Sequence, residues 1–221
     1  PEADSVLRPV AFVNTVIAKM SGVIDDPRRL RDEGLTPITP AVERAFLGEE
    51  FNRILISRPQ PDCGARGLSV FVEKDELGPF EDTKLYGNNA VHAMAAYLAA
   101  ALGLERMDEV ASTGDGLAFV REALIGEAGA GLKARWLGAD PLFSEHGFET
   151  FADDLLERMF RPALGDAVAR VARDPERKLG WDDRLIGSLR LALEAGVEPR
   201  RLALGSAAAL LFEHPSRRTG G

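Results

Sequence analysis

Apolar residues in the first third of the chain come in short bursts, whereas further on they recur every three or four positions. "RPVAFV" (8–13), "FNRILIS" (51–57) and "GLSVFVEK" (67–74) are brief β-type runs, set off by the turn signals "DDP", "TPITP" and "RPQPDCG". They predict short strands that pair with one another or with strands outside this sequence. From about Pro79 the period lengthens. "GLAFVREALIGEAGAGLKARWL" (116–137) and "FETFADDLLERMF" (148–160) carry apolar positions at helical spacing, the second stopping before Pro162. "LGDAVARVARDP" (164–175) is closed by a proline. "DDRLIGSLRLALEAG" (182–196) opens on acidic capping candidates and ends on Gly196, a C′ glycine. "EPRRLALGSAAALLF" (198–212) begins with Pro199 near its first helical position. The pattern predicts a mainly α chain with a small β-containing N-terminal segment and five or six helices. Its divisions are 1–78 (short strands and turns), 79–214 (helical) and 215–221 (a loose tail).

Composition narrows the function. At 221 residues the chain can bury a sizeable core as one large domain or a domain and a half, and 45% hydrophobic content is ordinary for a globular protein. A net charge of −8 argues against general nucleic-acid binding, which needs a basic surface. The lone cysteine, Cys63, cannot form an internal disulfide and suits a reduced, cytoplasmic setting. No apolar run reaches the roughly 18 residues of a membrane span; the longest, 90–104, contains His92. Histidines stand at 92, 146 and 214, with no pair at ligand spacing, so no metal site is expected. The first residue is Pro1: either an initiator methionine has been removed or the chain is cut from something longer.

Two stretches invite a chemical reading. Residues 129–134 fit G-x-G-x-x-A, the form of a dinucleotide fingerprint, but that motif works only between a buried strand and a helix. Here amphipathic "FVREALIGEA" precedes it, so helix packing is the expectation. The second stretch is "TKLYGNNAVHAMAAYLAAALGL" (83–104), in which Lys84, Asn89 and His92 obey K-x-x-x-x-N-x-x-H. On a straight helix at about 100° per residue, Asn89 and His92 lie about 60° apart and Lys84 about 80° from His92. All three can then face one cleft. Alcohol oxidation needs such a set: a base for the hydroxyl proton and donors for the developing alkoxide. A lysine serves as base when burial favours its neutral form, and an alanine-lined helix is a suitable setting. An equally simple reading makes Asn88 or Asn89 the N-cap of a helix starting at Ala90, with Gly87 as a turn residue. Lys84 is then solvated and His92 a satisfied core histidine. Spacing leaves both open.

The same stretch resembles the signature of the mannitol dehydrogenase family, the polyol-specific long-chain dehydrogenases, in which K-x-x-x-x-N-x-x-H precedes an alanine-rich helix. "VARVARDPERKLGWDDRLIGSL" (168–189) resembles the R-K-L and D-R-L-I stretch of the mannitol-1-phosphate 5-dehydrogenases. "FVNTVIAKM" (12–20) resembles the family's F-P-N-x-x-V-D-R-I. The three matches run in family order from about Val10 to Phe212. The resemblance implies a 6-phosphogluconate dehydrogenase C-terminal-like helical domain and reversible, metal-free, NAD-dependent oxidation of a polyol or polyol phosphate to a ketose. By position it makes Lys84 the general base, Asn89 an alkoxide donor and His92 a substrate-orienting group. Arg170 and Lys178 fall where members bind distal substrate oxygens, a phosphate suiting such cations; otherwise they are a helix-end arginine and a solvated lysine. Asn14 matches the asparagine of the third segment, on the cofactor side. The chain also departs from the family. The aspartate and arginine of V-D-R-I are Ala18 and Lys19, a second alkoxide asparagine is missing, and the C-terminus is short. The glycine-rich Rossmann half is absent, so residues 1–78 are expected to be the remnant of a dinucleotide-binding domain. Most NAD-binding groups then come from a missing segment or another chain. A uronate (fructuronate or tagaturonate) reductase, and a non-catalytic helical remnant serving as a binding or assembly module, are the alternatives.

Overall fold

The computed structural model describes residues 12–50, 53–59 and 67–213. Cys63, His214, the tail 215–221 and most of "RPVAFV" lie outside these. The N-terminal third is held by two small sheets. In chain order its elements are β1 (Thr15–Val16), β2 (Ser21–Ile24), α1 (Pro27–Asp32), β3 (Ala45–Gly48), β4 (Ile54–Ser57) and β5 (Phe71–Lys74). β1, β4 and β5 form one sheet in that order, β4 antiparallel to β1 and parallel to β5. β2 and β3 pair antiparallel, Val23 opposite Phe46. Asp26 caps α1 by accepting the Arg28 N–H, and Pro27 supplies the first helical residue.

The helical part is organised by two rods, each interrupted by a π turn. The first runs without a break through α2 (Gly78–Asp82), a π segment (Thr83–Asn88) and α3 (Asn89–Ala101). The second runs through α4 (Gly116–Glu122), a π segment (Ala123–Ala128) and α5 (Gly129–Arg135). The π turns face one another: a methyl added to Gly87 would stand 3.3 Å from Leu132 Cδ1 and 3.8 Å from Leu124 Cδ1. The N-cap expectation for Asn88 and Asn89 is therefore corrected. Both are helical in backbone, neither makes a capping bond, and Gly87 is buried mid-rod instead of turning the chain.

Around the rods pack α6 (Glu145–Met159), α7 (Val168–Val171), α8 (Pro175–Lys178), α9 (Arg184–Glu194) and α10 (Arg200–Leu211). Among the described residues, nine α-helical segments follow residue 77, against the five or six expected. The π turns split two long patterns, and Pro175 opens a second short helix where closure of one was expected. Gly196 does end α9 in the left-handed region, at φ 76. The alanines of α3 are buried from Ala90 to Ala99 and let α10 approach closely: a methyl on Gly205 would meet Met94 Cγ at 2.2 Å. Met94, Tyr97, Leu124, Phe148, Leu155 and Leu202 fill the centre, each contributing about 1.5–3 kcal/mol by leaving water.

Pro199, at the start of α10, offers no capping side chain. Glu127, from the second π segment, takes that role. Its buried carboxylate accepts the N–H groups of Arg201 (3.0 Å) and Leu202 (2.9 Å) and the Arg201 guanidinium (3.3 Å). The G-x-G-x-x-A decoy resolves as helix packing: Gly129 lies under the Phe148 ring, and Gly131 against the Leu191 backbone.

Candidate active site

The first π turn decides where the signature side chains go. On a straight α-helix Lys84 and Asn89 would diverge by about 140°. The π turn instead closes the Asn89 N–H onto the Lys84 carbonyl, stacking residue 89 over residue 84. His92 follows three α-helical positions later, about 60° around. Lys84, Asn89 and His92 consequently line one cavity of about 340 Å³. Lys84 is half-buried, and among the described residues it has no hydrogen-bond or ion-pair partner. Buried Asn88 joins the same wall.

A second wall is cationic. It is built by the stretch from α7 to the start of α9, with Arg170, Arg173, Arg177, Lys178 and Arg184 all lining the cavity. Asp174 turns the chain there at φ 57, the one left-handed non-glycine residue among those described. A third wall comes from the β segment, where Ala18, Lys19 and Met20 border the cavity. Arg158 of α6 fixes that strip by donating to the Ala18 carbonyl (3.3 Å) and to Glu49 (3.2 Å), which in turn accepts the Met20 N–H.

Asp166 joins the walls. Its buried carboxylate accepts two bonds from Arg170, both 2.6 Å, and lies 3.4 Å from His92 Nε2. The latter distance is electrostatic contact and exceeds an ordinary hydrogen bond. Burial alone would raise the pKa of Asp166; His92 and Arg170 outweigh it and hold the carboxyl below its usual range.

Lys178 is buried, which corrects the view of it as a solvated lysine. Its amine donates to the Val171 carbonyl (2.6 Å) and to the Arg173 carbonyl, pinning the turn that carries the arginines. Burial first, then Arg184 and Arg177, push its pKa down from 10.5 to about 8. The unfolded chain therefore holds this proton over a range where the folded one has released it. Stability attributable to Lys178 rises with pH from about 8 towards 10.5. Compared with Lys178→Met by urea denaturation, the native protein should gain up to about 3 kcal/mol across that window. A difference that stays constant with pH would rule this out.

The structure thus brings Lys84, Asn89, His92, Arg170 and Lys178 together. Asn14 is not among the lining residues: it is exposed beside β1, its backbone N–H donating to Ser57 Oγ at 3.0 Å. Sequence reasoning missed Asp166, Arg173, Arg177 and Arg184. The Asp166/Arg170 spacing of four was a readable ion-pair signal, and the run of cations from 170 to 184 was another. No described group of three or more His, Cys, Asp or Glu residues could hold a metal, and no described helix is long and apolar enough to cross a membrane.

Fold and cavity define a helical domain with a lysine-bearing, cation-lined cleft. The profile of the mannitol dehydrogenase C-terminal domain matches residues 76–221, and the chain belongs to that family. The mannitol-1-phosphate 5-dehydrogenase of Brevibacillus brevis is 38% identical over 141 residues, 64% of this chain and 35% of that protein. The enzyme of the same name from Geobacillus stearothermophilus is 33% identical over 216 residues, 96% and 51% respectively. Among solved structures, mannitol 2-dehydrogenase of Pseudomonas fluorescens, in ternary complex with NAD and D-mannitol, superposes with a TM-score of 0.67 at 20% identity. It covers 90% of this chain and 38% of that one. A substrate-free D-sorbitol dehydrogenase gives 0.71 at 17% identity, covering 99% and 45%. At such identities the two structures show the fold alone. The chain spans about a third to a half of the length of the curated relatives it matches.

Proposed function

We propose that this chain forms the substrate-binding and catalytic portion of an NAD-dependent polyol dehydrogenase, oxidising mannitol 1-phosphate or a similar polyol to a ketose. One observation carries the reading: Lys84, Asn89 and His92 line one cavity with a cluster of cationic side chains. In its neutral form, the Lys84 amine takes the proton of the carbinol hydroxyl. The Asn89 amide donates to the oxygen as it becomes an alkoxide, and His92 orients the polyol. Arg170 reaches distal oxygens. Lys178, two of its donors already engaged, has one left for the same task. Arg173, Arg177 and Arg184 suit a terminal phosphate.

A bound NAD would supply the acceptor for the hydride of the carbinol carbon. The described residues do not fit its pyrophosphate. The one stretch with fingerprint spacing is helical, its glycines covered by Phe148 and Leu191. On this reading residues 1–78 are the end of a dinucleotide-binding domain, with Asn14 on the cofactor side, and 79–214 the substrate domain. A Rossmann domain from a further segment or another chain supplies the remaining contacts, in a cytoplasmic setting. The arginine wall equally favours a carboxylate, which makes a uronate reductase the second reading.

The test is an assay of the chain joined to a family Rossmann half. Mannitol and mannitol 1-phosphate are offered with NAD, fructuronate and tagaturonate with NADH. The polyol reading expects NAD reduction, faster with the phosphate ester. Turnover of a uronate alone would select the second reading. Inactivity towards all four would leave a non-catalytic binding module.

A further inference from the structure

We infer that Asp166 is a positioning residue of this cavity, holding His92 as the Nε2–H tautomer so that Nδ1 faces the cavity as a hydrogen-bond acceptor. His92 Nε2 is shut off from solvent and has no hydrogen-bond partner among the described residues; an Asp166 oxygen lies 3.4 Å away. An ionised carboxylate only accepts, so the nitrogen turned towards it must carry the proton. A bare nitrogen there would set two lone pairs against each other in a water-free space. The proton on one ring nitrogen fixes the role of the other.

The carboxylate cannot swing away. Both its oxygens are held by Arg170, at 2.6 Å each, and the side chain is 8% exposed. Its backbone is tied as well. The Met107 N–H donates to the Asp166 carbonyl (2.9 Å), the Val168 N–H donates to the Glu105 carbonyl (2.8 Å), and Ala167 bridges to Arg106. Gly165, at φ 57, makes the turn that delivers Asp166, with the Arg29 guanidinium packed where a side chain would be. One rigid carboxylate thus aligns a ring on α3 and a guanidinium on α7. Among the described residues nothing else engages the ring, so Nδ1 is left for a ligand. An acceptor there selects a hydroxyl over a carbonyl at the substrate atom next to His92. That last step rests on the proposed function; the tautomer does not.

Nitrogen-15 NMR of the 221-residue chain tests it, at a pH where imidazole is neutral, with the His92 signals assigned by their loss in His92→Gln. The unsubstituted chain should show protonated Nε2 and bare Nδ1. In Asp166→Asn the single amide oxygen goes to the permanently charged Arg170, and the amide N–H₂ turns towards Nε2. The proton should then move to Nδ1. A bare Nε2 in the unsubstituted chain overturns the inference, even should the variant fail to fold. So does a tautomer unchanged in a folded Asp166→Asn. Failure of the joined protein to oxidise polyols would remove the functional reading and leave the tautomer result standing.

Discussion

Replacement of Lys84 by alanine should lower kcat of the joined, complete enzyme by about 100- to 10,000-fold, the range in which a positioned general base operates. The fold should survive. Lys84 is half-buried and unpartnered among the described residues, so its truncation strands no donor or acceptor and opens no core cavity. The expected signature is a fall in kcat with the melting temperature little changed, and partial rescue by a small primary amine that can enter the cavity. Activity within a few-fold of the parent would remove the base assignment, and with it the chemical centre of the proposal. A large drop in melting temperature would assign Lys84 a structural role instead.

The second large effect is on stability. Glu127→Ala should cost about 3 kcal/mol, because it leaves the buried Leu202 N–H, the part-buried Arg201 N–H and a guanidinium without their acceptor. The loss should centre on α10, whose first turn has no other cap. Hydrogen exchange would then quicken at Leu202 and along the face of α10 against Met94, ahead of α6. Glu127→Gln keeps an acceptor oxygen and should lose less. Urea denaturation showing under about 1 kcal/mol for the alanine variant would mean the helix start finds another partner.

These two residues also show what could be read without coordinates. The helical half was legible because its apolar period is regular and its stops are chemically explicit: Asp183 caps α9, and Gly196 ends it in a conformation that favours glycine. Asn88 and Asn89 misled for a physical reason. Glycine and asparagine before an apolar run have the local chemistry of a helix start, and local chemistry favours a cap. The packing of Gly87 against Leu124 and Leu132, about forty residues away, overrides it. The strands β2 and β3 were missed because four-residue runs such as "SGVI" and "AFLG" carry almost no period, and their pairing spans more than twenty residues. Lys84, Asn89 and His92 were found through their spacing, though the straight-helix angles used to place them ignored the π turn. Glu127 read as one more charge on an amphipathic helix. Nothing local marked it as the cap of a helix more than seventy residues on.

The facing π turns also constrain how this fold can vary in length. Deleting one residue from 85–88 would close the same turn as an ordinary α-helical bond onto the Lys84 carbonyl, and everything beyond would keep its bearing, because the π turn absorbs one extra residue within a single turn. What would change is the widened backbone at Gly87, which packs on Leu132 and Leu124. A deletion at 90 or 91 has no such turn to absorb it and would swing His92 about 100° away from Asn89, so length can vary at the π turn and not between it and the imidazole.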